Sequence, residues 1–335
     1  MGKRHREDET DAASDTARDA DLEVPFEDVS RLLLETIRRE GVAIVTGVIG
    51  TAEVRELEAA FADDLSELVD SDAVRSCADP RVAAAHASFE REGPRRFPYA
   101  TVSHLAPDSA GFLLRRCVSH GRFAWRVRSH PRVHEVFGAL HPNVGPLVSS
   151  LDATFFTPEG SPEWQHDRKS VHPSSAHVDQ NQHDDRADLG ECTTYQGVLY
   201  VWPSTDESTT TVVWPRSHLS VWPRMMESGA FVERGAHGVH YCPLSDLGRS
   251  LEAELMDGWQ RHGRRLRVPA GALLLWNSRT VHAGWRGAGA RLAQVHVLGL
   301  CRASVESTRV EGLSAHAQAP CLCMGTRCAD ERGLP

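Results

Sequence analysis

The chain has 335 residues, enough for one large domain or two small ones, and its 41% hydrophobic and 25% charged content is ordinary for a folded globular protein. A formal net charge of -9 argues against a general nucleic-acid binder, because neutralising phosphates requires a basic surface. No apolar run approaches the roughly 20 residues that cross a bilayer, so a soluble protein without a membrane partner is expected.

The opening Met1-Gly2-Lys3-Arg4-His5-Arg6 lacks the apolar core of a secretory leader, and Arg332-Gly333-Leu334-Pro335 is not a peroxisomal address. Cys77, Cys117, Cys192, Cys242, Cys301, Cys321, Cys323 and Cys328 are scattered, as free thiols in a reducing compartment would be. A cytoplasmic protein is therefore expected. The Lys3–Arg6 cluster has the composition of a nuclear signal, although a solvated tail is the simpler reading. Residues 1–22 are almost all charged or small and bury too little to offset ordering entropy, which predicts a disordered tail.

From Val29 the pattern turns helical, with Val29, Leu32, Leu33 and Ile37 on one apolar stripe. Gly41 ends that helix, and Val42–Thr46 reads as a buried strand. Thr51 is the expected cap of a second helix, whose inner face carries Val54, Leu57, Phe61, Leu65 and Val69. Residues 78–109 hold Pro80, Pro94, Pro98 and Pro107 among charges, as a long surface excursion would, and helical texture resumes over 111–140. Arg115, Arg116, Arg122, Arg126 and Arg128 there read as a solvated helix face rather than an anion site.

After Pro146 short β-branched and aromatic runs alternate with Pro, Gly and Ser breaks: 147–156, 175–179, 193–202, 209–214, 267–276 and 291–300. Such spacing predicts an all-β barrel or sandwich. Helices first and strands second make an α+β protein, a β-barrel core with an N-terminal helical layer. No linker or internal repeat divides it, so one domain over 23–305 is expected, followed by a C-terminal tail, 306–335.

His177-Val178-Asp179 places an imidazole and a carboxylate at i and i+2 of a predicted strand, hence on one face. These are two of the three ligands in a 2-His-1-carboxylate triad, a site that suits non-heme Fe(II). His282 is the best third candidate, since it follows the strand Leu273–Trp276. Gly284–Gly289 reads as a tight turn and Arg291–Val295 as the returning strand, which would set His282 and Arg291 opposite each other across a hairpin. Three ligands on one triangular face leave three positions open, two for a chelating 2-oxo acid and one for dioxygen. Its distal carboxylate requires a fixed planar cation, and Arg291 offers a bidentate fork that Lys cannot.

With these residues in view, the chain from about Val29 to Leu300 resembles the phytanoyl-CoA dioxygenase-like branch of the Fe(II)/2-oxoglutarate oxygenases. The opening "EGVAIVTGVIGTAEVRELEAAF", the helix end "WRVRSHPRVHEVFGALH" and "VVWPRSH" carry the likeness along with the polar residues above. The resemblance implies a double-stranded β-helix (jelly-roll, cupin-like) core. It implies Fe(II) on His177, Asp179 and His282, 2-oxoglutarate held by Arg291, and Gln196 lining the co-substrate pocket. It implies hydroxylation of a small-molecule substrate with dioxygen consumed and succinate and CO2 released.

Competing polar residues have plainer readings. His166, His172, His183, Asp184 and Asp185 read as a solvated loop, with His183 and the two aspartates still within reach of a substrate. His218, after Pro215-Arg216-Ser217, reads as a structural turn histidine. Cys321, Cys323, Cys328 and His316 fit no common zinc spacing. Trp202, Trp214, Trp222, Trp259, Trp276 and Trp285 read as core or pocket wall. Two other activities stay open: a cupin-like metal enzyme that does not use 2-oxoglutarate, and a non-catalytic binding protein on the same barrel. The retained Asp179 argues against a halogenase, in which halide replaces the carboxylate.

Overall fold

A computed structural model describes residues 19–69, 91–97, 120–142, 147, 154–159, 175–184, 193–285, 287 and 289–297, with two short pieces at 322–323 and 326–327. In chain order the elements are β1 (Glu23–Pro25), a π-turn (Val29–Leu33) running into α1 (Leu34–Glu40), β2 (Val42–Thr46), α2 (Thr51–Val69), α3 (Arg122–Arg128) and α4 (Pro131–Leu140). Then follow β3 (Thr154–Thr157), β4 (His177–Val178), β5 (Tyr195–Tyr200) and β6 (Thr210–Val213). Four helices come next: α5 (Ser217–Ser220), α6 (Trp222–Met226), α7 (Gly229–Ala236) and, after β7 (Cys242–Pro243), α8 (Arg249–His262). The remaining strands are β8 (Arg264–Arg265), β9 (Leu273–Asn277), β10 (His282–Trp285) and β11 (Arg291–Val297), with a small ladder of Leu322–Cys323 and Thr326–Arg327.

Two sheets carry the fold: a six-stranded one ordered β1-β2-β9-β5-β11-β3 and a five-stranded one ordered β7-β4-β10-β6-β8. Side-chain alternation explains why both faces of each are buried. Ala43, Val45, Leu199, Leu273, Leu275 and Leu292 face the N-terminal helices, where they meet Ile37, Phe61, Phe123 and Phe137. The opposite positions, Val42, Ile44, Val198, Tyr200, Leu274, Trp276 and Ala293, face inward with Val213 of the second sheet. The outer face of that second sheet, through Val178, Val212, Ala283 and Trp285, packs on α6, α7 and α8 by way of Met225, Phe231 and Trp259. The order is helices, sheet, sheet, helices, and each buried large apolar side chain contributes about 1.5–3 kcal/mol.

Several expectations change. Thr51 is the first helical residue rather than the cap; Gly50 precedes it, and its backbone N–H donates to the Glu53 carboxylate at 2.8 Å. A side chain three residues into the helix thus does the capping, leaving the Thr51 hydroxyl unneeded. Of the helical texture expected over 111–140, the described part from 120 on forms two helices broken at Ser129-His130-Pro131, where proline disfavours a helical residue before it. The helices between β6 and β8 had no counterpart in the sequence reading. Asp19–Leu22, expected in the tail, is packed: Leu22 is fully buried and Asp19 accepts from Arg264 at 3.0 Å and from the Arg267 backbone N–H at 3.1 Å. The expected tail over 1–18, the excursion over 78–90 and 98–109, Val69's side chain, and Arg115, Arg116, His166, His172, Asp185, His316, Cys321 and Cys328 lie outside the described residues.

The largest correction concerns 282–291. β10 pairs antiparallel with β4 and β6, whereas β11 pairs with β3 and β5 in the other sheet. There is no hairpin; the intervening residues carry the chain from one sheet to the other. Gly287 is needed for that crossing, because a Cβ there would stand 2.0 Å from the Glu207 carbonyl oxygen. The sequence pattern hid this because Ala283 and Trp285 on one strand and Leu292 on the next are equally apolar, although they face different helical layers.

Candidate metal centre

β4 ends in the ligand-bearing stretch. His177 pairs across the sheet with His282 at the start of β10, so the two imidazoles are cross-strand neighbours with ring centroids 4.4 Å apart. Asp179 follows just beyond β4, and its backbone N–H donates to the Ser278 carbonyl at 2.9 Å, tying it to the turn before β10. Its Oδ1 lies 3.7 Å from His177 Nε2 and its Oδ2 3.3 Å from His282 Nε2. Among the described residues these three form a group able to hold a metal ion, with their ligand atoms all within 4.8 Å of one another.

The hydrogen bonds behind the imidazoles set their tautomers. His177 Nδ1 donates to the Ser175 carbonyl at 2.7 Å, and His282 Nδ1 donates to the Thr280 carbonyl at 3.0 Å. A carbonyl can only accept, so each Nδ1 carries a proton and each Nε2 is the ring atom turned to the centre. Metal-binding imidazoles are held in this way. Burial pushes the His177 imidazole down to about 4, helped by the neighbouring His282 and opposed by Asp179, so it is neutral near neutrality. For Asp179 burial alone would raise the carboxyl; the two imidazoles and the Gln196 amide outweigh it, and the group stays ionised. Two imidazole nitrogens and one carboxylate converge, a set suited to a divalent transition metal.

Gln196, at the start of β5, donates through Nε2 to Asp179 Oδ2 at 3.0 Å. Arg291, at the start of β11, is 2% exposed. Its guanidinium donates to the Tyr200 hydroxyl at 2.9 Å and lies over the Phe155 and Tyr200 rings at 4.2 and 4.9 Å. Thr211 Oγ1 lies 3.4 Å from the same nitrogen. No carboxylate pairs with Arg291 among the described residues, its Nε is buried without a partner, and burial pulls its pKa below the usual guanidinium range. A bare buried cation is costly unless an anion joins it.

The metal trio and Arg291 share the interior between the sheets. The Trp276 ring lies 4.9 Å from that of His282, Trp276 and Tyr200 belong to one buried cluster, and Tyr200 touches Arg291. Tyr200, Thr211 and the polar edge of Trp276 escaped the sequence reading as site residues. The available signal was the period-two series Gln196, Val198, Tyr200, which points one way along a strand.

The other polar residues have structural partners. His218 donates through Nε2 to the Arg38 carbonyl at 3.0 Å and is wedged against Gly41, as a turn histidine would be. His183 reaches the Met226 carbonyl at 2.7 Å, and Asp184 is buried on the far side of that turn. Tyr241 was not anticipated: its ring packs 4.7 Å from that of His177.

No protein-family model matches the chain, and no curated protein matches its sequence. Solved structures do resemble it. A provisionally assigned oxidoreductase from Salmonella typhimurium LT2 is 11% identical, with 91% of this chain and 82% of that one covered and a TM-score of 0.52, a likeness of fold. The non-heme alpha-ketoglutarate-dependent carbocyclase SnoK of nogalamycin biosynthesis is 15% identical over 82% of this chain and 86% of its own, with a TM-score of 0.47. EctD from S. alaskensis, solved with 2-oxoglutarate and 5-hydroxyectoine, is 13% identical over 80% and 74%, with a TM-score of 0.41. No described helix is long and apolar enough to cross a membrane.

Proposed function

We propose that this chain is an Fe(II)- and 2-oxoglutarate-dependent oxygenase that hydroxylates a small-molecule substrate in the cytoplasm, releasing succinate and CO2. One observation carries the reading: a His-Asp-His trio and a buried guanidinium without a carboxylate partner stand in one interior. Either alone has plainer explanations. Together they suit a molecule that chelates metal at one end and carries a carboxylate at the other.

The donor set fits the group. His177, Asp179 and His282 would hold the ion, with both Nε2 atoms turned to the centre by the hydrogen bonds behind them. Bound iron supplies a redox centre at which dioxygen and the 2-oxo acid react. Gln196 holds the Asp179 carboxylate in register by its hydrogen bond to Oδ2. Arg291, braced by Tyr200 and two aromatic faces, would take the distal carboxylate of 2-oxoglutarate in a dry setting, where a bidentate pair is strong. Val198, Val213 and Ala293 line the interior between them and keep water out.

The strand order favours a double-stranded β-helix within a single domain over 23–305. From β3 to β6 consecutive strands alternate between the sheets, and β8 to β11 do so again, with β7 as an addition beside β4. The test is succinate release by the purified protein given Fe(II) and 2-oxoglutarate. Turnover in the wild type and its loss in Asp179→Ala are expected; no turnover in either, with no metal-dependent 2-oxoglutarate binding, would refute the proposal.

A further inference from the structure

Trp276 carries a buried donor that no acceptor satisfies. Its side chain projects from β9 into the space between the sheets and is 6% exposed, and its ring lies 4.9 Å from the imidazole of His282. Its Nε1 is fully buried and makes no hydrogen bond among the described residues. Leaving an indole N–H unsatisfied costs on the order of 1–3 kcal/mol, so buried tryptophans normally find an acceptor. A core role alone would be filled by Phe at no such cost.

The surroundings narrow the acceptor. Gln196 is the cross-strand partner of Trp276, and its amide orientation is settled because the Asp179 carboxylate can only accept from Nε2. The Gln196 carbonyl oxygen is the acceptor left on that side, and it too is buried without a partner among the described residues, so it does not take the indole N–H. Arg291 sits against Tyr200 and Thr211, while Trp276 sits against a metal-ligand histidine. An anion with one carboxylate on Arg291 brings its other, metal-bound end to the indole.

We infer that Trp276 is a binding residue for the 2-oxo acid, its indole N–H donating to an oxygen of the carboxylate next to the keto group. The inference rests on the oxygenase reading and adds to it a second fixed contact, at the opposite end of the co-substrate from Arg291. A neutral donor is suited to that end, where the metal already supplies positive charge and a second cation would repel it.

The experiment uses full-length protein loaded with Zn(II), which is redox-inert, and labelled with nitrogen-15 at its indoles. The Trp276 signal is identified by its absence from Trp276→Phe. On addition of 2-oxoglutarate this N–H resonance should move downfield, and calorimetry should show Trp276→Phe binding 2-oxoglutarate roughly tenfold more weakly, as expected for a hydrogen bond to a charged group. The wild-type resonance needs no variant to fold, and ligand-free melting of Trp276→Phe reports its packing. If wild-type protein binds 2-oxoglutarate but the resonance stays still and the variant binds equally well, the inference fails while the oxygenase reading stands. A resonance that already lies downfield with zinc alone and ignores 2-oxoglutarate would assign the N–H to water and overturn it. Absence of 2-oxoglutarate binding by wild-type protein sinks both.

Discussion

Gln196 Nε2 donates to Asp179 Oδ2 at 3.0 Å, and that oxygen also lies 3.3 Å from Nε2 of His282. One carboxylate oxygen thus has its direction set by β5 and its neighbour supplied by β10, strands that belong to different sheets. Gln196→Leu removes the amide and leaves the carboxylate free to turn. Metal affinity should fall about 10–100-fold, the usual cost of losing an outer contact to a ligand, as read by competition with a chromophoric chelator. An affinity within twofold of wild type would show that the amide does not orient Asp179.

Arg291 gives opposite expectations with and without ligand. Its cation is buried with aromatic rings and hydroxyls but no carboxylate, so Arg291→Met should melt at or above the wild-type temperature in the absence of ligand. The same variant should bind 2-oxoglutarate roughly 100-fold more weakly in the presence of Zn(II). Arg291→Lys should not restore binding, since it lacks the planar fork. A destabilised Arg291→Met protein that still binds 2-oxoglutarate would assign the guanidinium to the fold rather than to a ligand.

Gly41 joins the helical layer to the turn that precedes His282. Its φ is +79°, its carbonyl accepts from Thr280 Oγ1 at 2.8 Å and from the Asn277 N–H at 2.9 Å, and a Cβ would stand 2.5 Å from both His218 Nδ1 and Thr280 Oγ1. Gly41→Ala should cost about 2–4 kcal/mol in denaturant unfolding, combining left-handed strain with displacement of buried side chains. A loss below about 0.5 kcal/mol would mean that the turn relaxes freely.

Glu40 is buried, and Arg216, from the turn after β6, meets it with two hydrogen bonds of 2.8 Å. Those bonds, against the opposing pull of burial, hold the carboxyl below its ordinary 4.5. A carboxylate depressed in the folded state adds stability above its unfolded pKa, and that stability disappears as pH falls through the folded value. Glu40→Gln should therefore melt lower than wild type at about pH 7, and the gap should close by about pH 3.5. A gap independent of pH would attribute the effect to packing instead.

Asn181 fastens the stretch after Asp179 to the helices between β6 and β8. Its Nδ2 donates to the carbonyls of Phe231 and Val239 at 2.8 and 3.2 Å, and its Oδ1 accepts from the His183 N–H at 3.0 Å. Asn181→Ala should lower stability by about 2–3 kcal/mol and weaken Zn(II) binding more than Gln182→Ala does. Equal zinc affinity in the two variants would show that this fastening does not reach the ligand.

The amino-acid sequence by itself determined the local facts: the Val29–Ile37 stripe, the stop at Gly41, the strand over Val42–Thr46, and the shared face of His177 and Asp179. Each follows from periodicity, glycine geometry or strand alternation within a few residues. It also singled out His282 and Arg291 by residue type and spacing, and Gln196 through the family resemblance alone. Only the tertiary structure decided that β10 and β11 lie in different sheets, because their apolar positions look alike whichever helical layer covers them. It alone paired Tyr200 and Thr211 with Arg291, and stranded the Trp276 N–H beside His282. Arg291 is 91 positions from Tyr200 and 80 from Thr211. Even the short steps from Trp276 to His282 and from β10 to β11 turn on which strands become neighbours, which no local pattern encodes once both faces of each sheet must be buried.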